Sequence, residues 1–112
     1  MRDRGRLLAL AEECEAATEP TGALFDRVWS AAYPDNLGGN LGRFRDLVVA
    51  GAWTDAALML VPEGCVWAVS DMGVVWVLPG RVDCQALGHG STVPLAVCAA
   101  ALRVLAKETA GE

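Results

Sequence analysis

With 112 residues, 54% of them hydrophobic, the chain is long enough for a single domain with its own core and too apolar for a disordered segment. Its formal net charge of −5 argues against direct nucleic-acid binding, which needs cations to neutralise phosphates, and suits solubility or a partner with a basic surface. Four cysteines, at 14, 65, 84 and 98, include no C-x-x-C pair and share the chain with one histidine, so zinc is excluded in favour of reduced, separate, buried thiols.

The first predicted element is a helix over Arg6 to Thr18. A short apolar run, Leu7 to Ala11, follows a basic start as in a signal peptide, but it meets Glu12-Glu13 at once, so no leader is expected. Leu7, Leu10 and Cys14 form an apolar stripe with Ala11 and Ala17 beside it. Glu12, Glu15 and Glu19 follow i, i+3, i+7 on another face, with Glu13 next to them. That face reads either as solvated surface or as a docking face for a basic partner.

Pro20-Thr21-Gly22 breaks the pattern. A second helix is expected over Ala23 to Ala32, with Phe25, Val28, Trp29 and Ala32 turned to the core. Tyr33 to Asn40 carries turn residues throughout and is expected to be a flexible loop, free to contact something else through Tyr33 and Asn36. Leu41 to Ala50 fits a helix or a strand, with helix preferred, and Gly51 ends it.

Thr54 is expected to cap a helix that stops at Pro62, with Asp55 at its positive end. Cys65–Ser70 and Val74–Leu78 are rich in β-branched and aromatic residues and predict an antiparallel hairpin. Gly73 suits the left-handed position of a three-residue loop, Asp71-Met72-Gly73, which sets Trp67 opposite Val77. Both strands are apolar on both faces, as in a sheet covered on two sides. The alternation over residues 81–87 suggests a third strand. Ser91 or Thr92 then caps a helix from Val93 to Lys107, apolar nearly all round, with Pro94 in its first turn. Such a helix is central or lies at an oligomer interface. Residues 108–112 are expected to be a disordered tail. The fold class expected is therefore α+β, in one domain over 1–112. A two- or three-stranded antiparallel sheet, made of the hairpin 65–78 and a third strand at 81–87, would be covered by helices on both faces.

Residues that could carry chemistry are few. His89 lies in a Gly-flanked loop; a catalytic reading would take Asp83 as its orienter and a nearby Cys as nucleophile, but none of these stands at an instructive spacing from another. Gly88-His89-Gly90-Ser91-Thr92 before a helix offers an anion cradle in principle, but it lacks the Gly-Lys-Ser/Thr of a phosphate-binding loop; two glycines and a capping hydroxyl explain it as well. The longest uncharged stretch, Cys84 to Leu102, is interrupted by polar residues and is too short in its apolar part to span a bilayer, so a cytoplasmic location without membrane contact is expected. No catalytic residue, metal ligand or cofactor is assigned.

Several segments resemble one family: Arg6-Leu7-Leu8 through Glu15-Ala16-Ala17-Thr18; Thr54-Asp55-Ala56-Ala57-Leu58 with Val61-Pro62-Glu63-Gly64; Trp67 and Trp76; and the run from Ser91 to Leu102. In order and kind they resemble small bacteriophage and prophage proteins with a phage ABA-sandwich domain. The likeness touches over half of the chain. The family often has an aromatic where this chain has Cys65, and Leu37 to Gly51 has no counterpart. None of the resembling residues is a catalytic motif. The resemblance implies helices on both faces of an antiparallel sheet, no known cofactor, and residence in a phage or mobile element.

Together these readings favour a small non-enzymatic phage or prophage protein that occludes a partner protein, one form being an anti-CRISPR-like inhibitor of host defence. A phage structural or assembly accessory is the alternative binding function, and a small anion- or nucleotide-binding enzyme using Gly88–Thr92 is the alternative from another class. The expected partner-binding residues are Glu12, Glu15, Glu19, Tyr33 and Asn36, with a host or phage protein as partner and self-association as a further option.

Overall fold

The computed structural model describes residues 3–34, 39–61, 65–69, 75–78 and 86–110. Five helices dominate it: α1 (Arg4–Ala16), α2 (Gly22–Ala32), α3 (Gly39–Val49), α4 (Trp53–Leu58) and α5 (Val93–Ala110). Three short strands, β1 (Val66–Val69), β2 (Val75–Leu78) and β3 (Ala86–Gly88), pair antiparallel in the order β1-β2-β3.

The helix ends have local causes. Asp3 caps α1, its carboxylate accepting from the Arg6 N–H at 3.2 Å, two residues earlier than the apolar periodicity alone suggests. Thr21 caps α2 in the same way through the Leu24 N–H, also at 3.2 Å. Thr21→Ala should therefore lower stability by about 1 kcal/mol and Thr21→Ser should restore most of it, as read by urea unfolding. Residues 39–49 resolve the helix-or-strand ambiguity in favour of helix. Gly51, at φ +76°, closes α3: its N–H donates to the Val48 carbonyl and the Ala52 N–H to Leu47, the paired bonds of a Schellman turn. Thr54 does not cap α4. That helix begins two residues earlier, with Ala52 in the cap position and no side-chain cap, because the turn leaving α3 already sets the chain direction. It also ends at Leu58, before Pro62.

The core forms around α5. Leu95 through Leu102, Val104 and Leu105 are all fully buried, which settles the apolar helix as the central one. Its alanines at 96, 99, 100, 101 and 106 let neighbours approach closely: α1 lies along it, α4 and α2 pack beside it, and β2 and β3 lie against it. Leu7, Leu10, Ala11 and Cys14 of α1 point inward, as do Phe25, Val28 and Trp29 of α2 and Phe44 of α3. Phe25, Trp29, Phe44 and Trp53 form an aromatic cluster, with centroids 4.5 Å apart for Trp29–Phe44 and 5.0 Å for the edge-on Phe25–Trp53 pair.

The expected fold class is corrected here. The protein is mostly helical, and its strands do not form the middle layer of a sandwich. Helices pack chiefly on helices around α5, and α5 is the helix that lines the small sheet. Trp67 and Ala68 are successive residues of β1, so they face opposite sides, and both are exposed. Leu87, in line with Ala68 across β2, is 38% exposed. A sheet covered on both faces would bury all three. The architecture implied by the phage resemblance is overturned with it. The register sets Trp67 opposite Val77 and Ala68 opposite Trp76, which excludes a direct Trp67–Trp76 cross-strand pair. The loop at 71–73 lies outside the described residues, as does residue 81–85 of the expected third strand, whose observed counterpart is Ala86–Gly88. Of the tail expected at 108–112, residues 108–110 belong to α5, and 111 and 112 lie outside the described residues. Among the described residues no helix is long and apolar enough to cross a membrane.

Candidate functional site

The acidic residues of α1 do not form the continuous stripe that their spacing suggests. The helix ends at Ala16, so Glu19 sits in the following turn and leaves the i, i+3, i+7 line. Glu12 and Glu19 are exposed. Glu13 is half-exposed and paired with Arg27 of α2 through two hydrogen bonds of 2.5 and 2.9 Å. The hydrogen bonds of that pair hold the Glu13 carboxyl below its ordinary range and raise Arg27, against the opposing effect of desolvation.

Glu15 has a different role. Its side chain is only 22% exposed and accepts both guanidinium arms of Arg103, at 2.5 and 2.6 Å, together with the backbone N–H of His89 at 2.9 Å. Arg103 donates in addition to the Leu87 carbonyl at 2.9 Å. One carboxylate thus ties α1 to α5 and to the segment leaving β3. The Arg103 hydrogen bonds, helped by the His89 N–H, hold the Glu15 carboxyl below its ordinary range against the effect of burial. Glu15 is therefore neither solvated surface nor a free docking residue.

The same contact bears on the Gly88–Thr92 loop. The His89 N–H, a donor that an anion cradle would use, is taken by Glu15. Ser91 Oγ donates to the Ala17 carbonyl at 3.0 Å, and Thr92 Oγ1 accepts from the Leu95 N–H at the start of α5. The loop is engaged in holding α1 and α5 together.

Tyr33 is not a free loop residue. Its hydroxyl donates to the Leu60 carbonyl at 2.9 Å and its ring lies 4.9 Å from that of Trp29. Residues 39 and 40, also expected in the flexible loop, belong to α3; Asn36 lies outside the described residues. Glu19 and Tyr33 flank opposite ends of α2, roughly 16 Å apart at 1.5 Å per residue, so the structure does not bring these two expected binding residues together.

What the acidic end of α1 does border is an open cleft of about 430 Å³ between the end of α1 and the start of α2. Glu13, Thr18, Glu19, Thr21, Leu24 and Arg27 are among its lining residues. Arg27 has no motif that marks it in the sequence, and its spacing from Glu13 is tertiary. The cleft offers carboxylates at its edge and an apolar wall from Leu24, a combination that accepts the cationic head and aliphatic stem of a lysine or arginine.

The cysteines are free at 14, 65 and 98, and Cys84 lies outside the described residues. Cys14 and Cys98 are both free and buried, on the two helices α1 and α5 that pack together. Burial, and then the neighbouring Cys14, pushes the Cys98 thiol well up. In the native protein a thiol reagent should label Cys65 before Cys14 or Cys98, as read by mass spectrometry of digested samples. Labelling of Cys98 as fast as Cys65 would contradict the packing of α1 on α5. Among the described residues no three potential metal ligands converge. No protein family, curated protein or solved structure matches the chain.

Proposed function

We propose that this chain is a small non-enzymatic binding protein that occludes a basic surface of a partner protein, using the acidic end of α1 and the cleft beside it. The observation that carries this reading is the cleft itself, with exposed Glu19 at its edge and Glu13 held only by a surface pair. Surface ion pairs contribute about 0–1 kcal/mol, so an incoming guanidinium or ammonium can replace Arg27 at Glu13 at little cost. The net charge of −5 adds long-range attraction towards a basic partner. A phage or prophage setting, action in the host cytoplasm and interference with host defence belong to the same proposal. They rest on small size, acidity and the local sequence resemblance, not on architecture.

The test is capture of partners from host lysate by the wild-type protein and by Glu12→Lys/Glu19→Lys. Both positions are exposed, so the substitutions should shift stability by no more than about 0.5 kcal/mol each. A stoichiometric partner should be retained by the wild type, lost as salt rises, and retained at least tenfold less by the variant. A partner held equally by both, or held independently of salt, would rule out this surface.

A further inference from the structure

We draw no further inference here: the strongest candidate, the face of the three-stranded sheet on which Ala68 and Leu87 are exposed, carries nothing because nothing in the structure shows what covers it.

Discussion

Gly88→Ala should be the most damaging single-methyl change among the described glycines. Gly88 ends β3 and faces α5 at the point of closest approach. A Cβ there would run into the Ala96 carbonyl oxygen and lie 2.7 Å from the Ala100 nitrogen and 3.1 Å from the Ala100 Cβ. The nearest two of these atoms are helix backbone, which cannot rotate aside as a side chain would. The strand must therefore lift from the helix. Lifting it disturbs the Gly88–Val75 pairing, the Arg103 bond to the Leu87 carbonyl and the His89 bond to Glu15 together. Overpacking costs typically about 1–3 kcal/mol, and the loss of these bonds places this case at about 3 kcal/mol or more. For a chain of this size that is a fall in Tm of roughly 10–20 °C. Gly42→Ala is the control: it lies within α3 with nothing inside 4 Å of the added atom, and should stabilise by roughly 0.5–1 kcal/mol. A Gly88→Ala melt within 2 °C of wild type would show that β3 does not dock on α5 as described.

Close approach of this kind is also where the limits of sequence reading lie. The periodic positions of α1 and α2 were legible, because a helix needs a stripe every 3.6 residues and Leu7, Leu10, Cys14 and Phe25, Val28, Trp29 supply it. The burial of α5 on all sides was legible for the same reason. The role of the sheet was not. An apolar strand is compatible with burial on both faces, but its composition does not say which helices reach it. Here the small side chains of α5 draw α1 and α4 onto the helix itself, so they are spent on helix–helix packing and leave Trp67, Ala68 and Leu87 exposed. The expected Thr54 cap failed because a glycine turn had already fixed the chain at Ala52, whereas the expected Thr92 hydroxyl does accept from the Leu95 N–H at the start of α5.

The acidic helix face shows the same division at the candidate site. Four carboxylates within eight residues, from Glu12 to Glu19 by way of Glu13 and Glu15, look alike by charge, yet the partners of Glu13 and Glu15 lie far along the chain. Arg27 follows Glu13 by 14 positions and Arg103 follows Glu15 by 88, and no local rule couples them. The structure therefore assigns opposite uses to neighbours: Glu12 and Glu19 face solvent, while Glu15 joins three elements.

Glu15→Gln should expose that difference as a stability change tied to pH. The substitution keeps the side-chain shape and removes the charge facing Arg103 and the His89 N–H. Exposed ion pairs contribute about 0–1 kcal/mol, and breaking a buried one costs about 3–5. With side chains 22% and 26% exposed, this pair lies between, and a loss of about 2 kcal/mol at pH 7 is expected. Because folding lowers the Glu15 carboxyl below its unfolded value, its contribution is complete above that value, near pH 4.3, and is lost as pH falls through the folded one. The gap between wild type and Glu15→Gln should thus be constant from pH 7 to about 5 and close below about pH 4, as Glu15 itself becomes neutral. Urea unfolding at pH 7, 5, 4 and 3 reads this directly. Glu13, also lowered by its arginine, leaves an acid-dependent slope in both proteins and so cancels from the difference. Salt separates the two pairs: 0.5 M sodium chloride should weaken the half-exposed Glu13–Arg27 contact while leaving most of the Glu15 gap in place. A gap that is absent at pH 7, or unchanged at pH 3, would remove Glu15 from its place between α1, β3 and α5.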